Sequence, residues 1–335
     1  AVSGGSGGVM NREEWLAGRH TGIGASEAAA VLGLSRYKSP LEVYLEKIGE
    51  LGPQDDSERM YWGRKLEAII AQEYGIRTGL KVNLNEDYTV LVHPDHKWMR
   101  CTLDAIAHDP EKGPGNVQCK NVDRFSAHEW ADGVPEEYLI QVMHEMAVAG
   151  FNWGCLAVLI GGNQFKAYEF ERDNELIDLI IEKEEKFWKE NVMKKIPPSA
   201  TGASLEVLSK MYPKDNGNTI TLCQDDIGNA ILNYLEAKDQ IDSLEKRKKD
   251  AQAIIQEAMG EASHAIYDAQ EGSVYCVSWT QVKGRLTFDA KSFEKDYPDL
   301  YAQYCRVGAG YRRFVVKEKR VQKSIPPNRV AMIGG

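Results

Sequence analysis

The sequence predicts an α/β protein, with a central mixed sheet flanked by helices and a helical and α+β extension behind it. Three observations point there. Strand-like runs of period two alternate with helix-like runs of period 3.6 over the first part of the chain. The stretch I-P-P-S-A-T-G at 196–202 then breaks the pattern. Beyond it, 225–259 reads as one long charged helix or a helical pair.

The elements follow in order. Ser26 ahead of E-A-A-A-V-L, with Gly33 behind, reads as a short helix with a serine cap and a glycine stop. Ser39-Pro40-Leu41-Glu42 is a capping box with proline at the first helical position, and that helix should end at Gly49. A third helix spans 57–74, with Gly75 as its stop and Leu66, Ile69, Ile70 and Tyr74 as its apolar face. Glu67 shares a stripe with Ile70 and Tyr74, so its carboxylate needs a partner, the plainer reading being an Arg or Lys pair.

Segments 88–92 and 99–107 read as strands. D-P-E-K-G-P-G at 109–115 is a turn, and 117–120 is the returning strand. Period two puts Gln118 and Lys120 on one face of it. A helix at 136–149, strands at 154–162 and 164–171 and a charged helix at 174–193 complete this part. In the tail, a strand is expected at 274–279, a helix at 289–305 and a last strand at R-R-F-V-V-K-E-K. The expected organisation is a vector-derived leader over 1–10, a core over 11–196, a linker over 197–222 and an extension over 223–335.

The chain has 335 residues, which at roughly 150 per domain suggests two domains. With 43% hydrophobic and 27% charged residues, it can build an ordinary core. No apolar run reaches the roughly 18 residues a membrane span needs. The six cysteines form no Cys-x-x-Cys, so free thiols in a reducing cytosol are expected, with Cys119 packed in the core. A net charge of −9 argues against a surface coated for nucleic acid but not against a locally basic channel.

The chemistry concentrates in M-R-C-T-L-D-A and N-V-Q-C-K-N. Asp104 precedes a turn, and Gln118 and Lys120 follow on the next strand. With an acid at 118 this would read Asp, short turn, Glu-x-Lys, a divalent-metal arrangement for phosphodiester cleavage. Carboxylates and carbonyls hold Mg²⁺, and a lysine beside it orients water or stabilises charge on phosphate. Glu67 and the carbonyl of Cys119 are further candidate ligands.

Several ordered segments carry a resemblance. R-E-E-W-L-A-G-R-H-T-G-I-G-A-S-E-A-A-A-V-L-G-L-S-R-Y-K-S-P comes first, then Y-W-G-R-K-L-E, C-T-L-D-A, V-Q-C-K and Y-L-I-Q-V-M-H-E-M. Over about 12–193 they resemble the lambda-exonuclease-like branch of the PD-(D/E)xK nucleases, specifically YqaJ-type phage recombination exonucleases. The resemblance implies a restriction-endonuclease-like core. It matches Asp104 to the metal-binding aspartate, Lys120 to the catalytic lysine, Glu67 to the helical acid and Gln141 to a glutamine near the site. Arg19 and Ser26 match residues that bind the 5′-phosphate, which suits a guanidinium fork and a hydroxyl at a helix start. It also implies Mg²⁺ (or Mn²⁺ in its place), 5′-to-3′ digestion of double-stranded DNA ends, a single-strand annealing recombinase as partner, a homotrimer, and a cytoplasmic phage or prophage protein in a bacterial host.

Gln118 departs from this pattern, since the family has an acid there. The amide keeps the shape and one carbonyl oxygen but loses the charge, so slower cutting than by a Gln118→Glu counterpart is expected. Engineered substitution and natural variation both account for it. A restriction-like endonuclease, a non-cleaving DNA-end-binding module and a structural protein built on the long helix remain as other readings. Among lesser candidates, His93 and His96 read as loop, His144 as a packed histidine and Lys246 to Lys249 as a solvated face. Arg312 and Arg313 could reach phosphate, and Trp15, Trp62 or Trp98 could stack on an end base.

Overall fold

The computed structural model describes residues 14–15, 18–52, 56–85, 89–222, 225–269, 272–306, 308 and 310–317. The expected leader over 1–10, Tyr88 and Cys223 lie outside these. The chain forms two units, Ala1–Met211 and Tyr212–Gly335.

In the first unit a five-stranded mixed sheet holds β2 (Lys81–Leu84), β5 (Ala105–Asp109), β6 (Gly113–Val122), β7 (Trp153–Ile160) and β8 (Gln164–Glu171), in that spatial order. Within this sheet, among the described residues, β6 and β7 alone pair in parallel, with Gln118 opposite Leu156 and Lys120 opposite Val158. A parallel pair needs a crossover, and α4 (Glu136–Ala149) supplies it. Central β7 is buried along nearly its whole length and reads as a continuous apolar run, while edge strand β8 carries Glu169 and Glu171 outward.

Side chains of β7 divide between two cores by period two. Leu156, Val158 and Ile160 join the apolar face of α4, including Val142 and Met146. Cys155 and Ala157 join Val117 and Cys119 against Ile70, Ala71 and Tyr74 of α3 (Glu58–Thr78). On the α4 side lie α1 (Ala25–Val31), α2 (Pro40–Lys47) and α5 (Asn174–Lys186). A small sheet, β1 (Ile23–Gly24), β4 (Met99–Cys101) and β3 (Leu91–Val92), completes this side.

Several expectations are corrected. Helix α3 does not stop at Gly75 but runs to Thr78 and ends at Gly79, whose φ is 72°. Gly75 serves close packing: a Cβ there would sit 3.1 Å from Val82 Cγ2 and 3.2 Å from the Leu80 carbonyl. Ile69 is 57% exposed, so it lies outside the apolar face. The strand expected over 99–107 is two strands in different sheets, broken at 102–104. The turn expected over 109–115 tightens to 110–112, because Asp109 Oδ1 accepts the N–H groups of Glu111 (2.8 Å) and Lys112 (2.9 Å). Within 197–222, α6 (Leu205–Met211) forms and buries Val207.

The second unit holds α7 (Asp225–Met259), a single helix of 35 residues, and a hairpin of β9 (His264–Ala269) and β10 (Ser273–Ser278) with Tyr267 opposite Tyr275. Strand β9 was not foreseen. The helix expected over 289–305 is two, α8 (Ala290–Asp296) and α9 (Pro298–Tyr304), because Tyr297 before the proline leaves helical geometry at φ −137° and ψ 60°. Residues 312–317 form no strand. No helix among the described residues is long and apolar enough to cross a membrane.

Candidate functional site

Asp104 stands where β4 gives way to β5, and the break is what it uses. The ladder between β5 and β6 starts at Ala105 opposite Val117. Two residues further along β6, the amide of Cys119 donates to Asp104 Oδ2 at 2.8 Å. Gln118 Nε2 donates to the same oxygen at 2.5 Å and reaches the Cys119 carbonyl at 3.4 Å. The side chain thus takes over hydrogen bonding that backbone pairing would supply, which orients it firmly.

Burial, then the charge of Glu67, push the Asp104 carboxyl up to about 8, against the opposing effects of Lys120 and the Cys119 amide. Glu67, half-buried on α3, is raised by burial, with Lys120 and Arg64 opposing. Two buried or half-buried acids, both raised and both opposed by the one Lys120, form a site short of positive charge. Lys120 Nζ lies 5.5 Å from the centre of the Tyr138 ring.

Among the described residues, no group of three or more His, Cys, Asp or Glu is placed to hold a metal ion. The third oxygen donor here is an amide. Gln118 is 4% exposed, and its Oε1 is buried without a hydrogen-bond partner. Such an oxygen carries a desolvation cost that a ligand would relieve. Hard divalent cations take carboxylate and carbonyl oxygens, so Asp104, Glu67 and Gln118 Oε1 fit one, more weakly than three acids would. The Cys119 thiol is raised by burial and packs in the core as expected.

Behind the strand a second carboxylate is fully enclosed. Glu145 on α4 is 1% exposed and accepts from Asn116 Nδ2 at 2.8 Å and Gln141 Nε2 at 3.0 Å. Burial raises its proton affinity while these two donors lower it. Gln141 therefore touches the sheet through Glu145 and also lines a cleft of about 870 Å³ with Lys120, Tyr138, Ser26 and Lys38. Glu145 and Asn116 were missed from sequence. The signal available was Asn116, Gln118 and Lys120 at period two on one face, opposite an acid one helical turn after Gln141.

The start of the chain is corrected in one respect. Ser26 does not cap α1: the cap is Gly24, and Glu27 accepts its amide at 2.9 Å through Oε2. Ser26 is exposed, one residue into the helix, and lines the cleft. Arg19 does not line it. Its Nη2 lies 2.9 Å from Glu27 Oε1, beside the Trp15 ring. Glu27 is 1% exposed and also meets Lys47 at 2.6 Å and Lys38 at 3.8 Å. Burial would raise its carboxyl, but Lys47, Lys38 and Arg19 together bring it down to about 2. Glu27 and Lys38 were missed, since an acid in S-E-A-A-A-V reads as a first-turn charge at a helix start.

The remaining candidates resolve locally. His144 is fully buried, with Nδ1 2.8 Å from Glu184 Oε1 and Nε2 2.9 Å from the Arg100 carbonyl. Because a carbonyl only accepts, Nε2 carries a proton, and Glu184 favours a second on Nδ1, raising the imidazole. It is a packed histidine that ties α4 to α5. His93 sits in a loop, its Nδ1 accepting from the amides of Asp95 and His96 at 3.1 Å each. Trp98 is buried, Trp15 Nε1 donates to Thr102 Oγ1 at 2.9 Å, and Trp62 is 53% exposed. In the second unit, Lys246 to Lys249 are exposed, and Arg312 Nη1 donates to the Tyr212 carbonyl at 3.4 Å.

Comparison with known proteins gives the chain its relatives. Residues 14–152 match the YqaJ-like viral recombinase domain. The chain is 33% identical over 317 residues to uncharacterized protein YqaJ of Bacillus subtilis strain 168, covering 92% of this chain and 95% of that one. A stretch of 94 residues is 29% identical to uncharacterized protein R354 of Acanthamoeba polyphaga mimivirus, covering 28% of this chain and 17% of that protein. Among solved structures, the alkaline exonuclease of Laribacter hongkongensis superposes with a TM-score of 0.46 at 22% identity, covering 59% of this chain and 97% of that one. The phage-related exonuclease of Haemophilus somnus 129PT superposes with a TM-score of 0.39 at 13% identity, covering 52% and 96%. The match to the family domain spans both Asp104 and the Gln118-Cys119-Lys120 strand, and the likeness to YqaJ continues through nearly the whole chain; this protein belongs to the YqaJ-like viral recombinase family.

Proposed function

We propose that this chain is a nuclease of phage-type recombination that digests double-stranded DNA from its ends, 5′ to 3′, leaving a 3′ overhang for a single-strand annealing recombinase. The observation that carries the reading is the meeting of Asp104, Gln118 and the Cys119 amide at the break between β4 and β5, with Lys120 next along the same face. Asp104, Glu67, Gln118 Oε1 and the Cys119 carbonyl would hold Mg²⁺ (or Mn²⁺). When bound, the cation supplies Lewis-acid polarisation of the phosphate and neutralises charge on the leaving oxygen.

The chain's own residues do the rest. Lys120 donates from Nζ toward water or a phosphate oxygen at the mouth of the cleft. Gln141, fixed by Glu145, presents its amide on the same wall. Ser26 offers a hydroxyl across the cleft, and Arg19, steadied by Glu27, holds the terminal 5′-phosphate from beside it. A homotrimer enclosing the duplex, working in the cytoplasm of a bacterial host, would make digestion processive. The expected domain roles are a nuclease core over 11–196, a linker over 197–222 and an extension over 223–335.

The test pairs this chain with Gln118→Glu on linear 5′-phosphorylated duplex in Mg²⁺, with closed circular DNA as control. The substituted form should degrade the linear duplex faster by on the order of 10²-fold, from its 5′ ends, and leave the circle intact. Equal rates would remove position 118 from the metal site; cutting of the circle would favour a restriction-like endonuclease. Thermal melting gives a readout without activity. Gln118→Glu should melt lower than this chain in EDTA and gain more from Mg²⁺, because a third buried acid needs the cation.

A further inference from the structure

Helix α7 is the longest helix among the described residues, and little of it is covered. Of its 35 residues only Met259 is buried. Ile241 is 59% exposed, Leu244 57% and Ile255 43%. Tyr234 meets Phe314 edge-on at 5.4 Å yet stays 43% exposed. At 1.5 Å per residue the helix is about 50 Å long, far more apolar surface than a lone helix holds in water.

Part of its apolar sequence repeats every seven. Ile227, Tyr234, Ile241, Lys248 and Ile255 are spaced by seven, and three residues after each come Ala230, Ala237, Leu244, Ala251 and Ala258. These are the two seam positions of a coiled coil. We infer that α7 pairs with α7 of a second copy of this chain, antiparallel, centred between Ile241 and Leu244.

Packing volume selects that arrangement. Turned antiparallel about this centre, each residue of the first set faces one of the second. Ile227 meets Ala258, Tyr234 meets Ala251, Ile255 meets Ala230, and Ile241 meets Leu244. Every layer except the central one sets a large side chain against a methyl, so the layers fill evenly along the helix. A parallel pair would stack tyrosine on tyrosine, leave alanine-only layers as voids and bring Lys248 against Lys248.

Charge selects it too. In the antiparallel pair the flanking residues Lys238 and Glu245 face each other across the seam, twice by symmetry. In a parallel pair the positions opposite them are Asn233 and Gln240, and no opposite charges meet. Within one helix Glu245 already takes Lys248 Nζ at 2.6 Å, which draws that lysine out of the seam toward its rim.

Sedimentation equilibrium of the full chain tests the pairing. This chain should have at least twice the mass of its Leu244→Glu variant, whichever assembly the first unit forms; equal masses overturn the proposal. Charge reversal tests the direction. Lys238→Glu and Glu245→Lys should each weaken association roughly tenfold, and the double variant should recover it. A double variant no tighter than the singles would overturn the antiparallel pairing while leaving the nuclease reading untouched.

Discussion

Two helices, one largely apolar and one rich in charge, meet opposite fates. Helix α4 buries Ile140 through Val148 without a gap, polar Gln141, His144 and Glu145 included, while α7, more than twice as long, buries Met259 alone. Both are continuous helices, so local hydrogen bonding and propensity suffice to form either. What separates them is the partner. Helix α4 crosses between parallel strands and is enclosed on both flanks, so even its polar side chains must find partners. Helix α7 leaves Tyr234, Ile241, Leu244 and Ile255 exposed, at the sevenfold spacing of a seam.

The comparison breaks most sharply at buried charge. Glu27→Ala would leave Lys47 buried without its counter-ion, and a loss of about 3–5 kcal/mol is expected. Urea unfolding would measure it; a loss below about 1 kcal/mol would mean water reaches the cluster. Core leucines come next. Leu156→Ala, at a position with no exposure, should cost about 2–5 kcal/mol, whereas Leu244→Ala should change the stability of a dissociated chain by no more than about 0.5 kcal/mol. Equal costs in dilute denaturant melts would remove the contrast between the two regions.

Acid sharpens the same point. The Glu27 carboxyl is brought down to about 2 from a usual 4.5, so its stabilisation is complete above pH 4.5 and is lost as pH falls toward 2. The contribution is on the order of 3 kcal/mol. Stability of this chain measured between pH 6 and 2.5 should therefore fall more steeply than that of Glu27→Gln, and parallel curves would contradict the cluster's role. A smaller effect is local. Ser39 accepts the Glu42 amide at 3.2 Å to cap α2, and Ser39→Ala should cost about 1 kcal/mol by thermal melting.

Where reasoning from residues succeeded, the interaction reached no farther than one helical turn or one strand. The cap at Ser39, the helix at 136–149 and the strand at 164–171 were legible because each depends on neighbours within about four positions. Misjudged ends have the same explanation reversed. Gly75 reads as a stop until Leu80 and Val82 fold back on it, and then it is a packing site. Ser26 reads as a cap until Glu27, drawn inward by Lys47, takes over the Gly24 amide.

The candidate site divides in the same way. Sequence alone determined the α/β class, most element positions, the shared face of Gln118 and Lys120, and, through ordered motifs, the family. Tertiary structure alone decided that Asp104 sits at a strand break and takes the Cys119 amide, that Glu145 stands behind Gln141, and that Glu27 gathers three cations. The reason is separation along the chain. Asp104 and Gln118 are 14 residues apart, Glu27 and Lys47 20, and Asn116 and Glu145 29. Periodicity encodes which way a side chain points, but a buried charge is tolerated only where the complete fold delivers its partner.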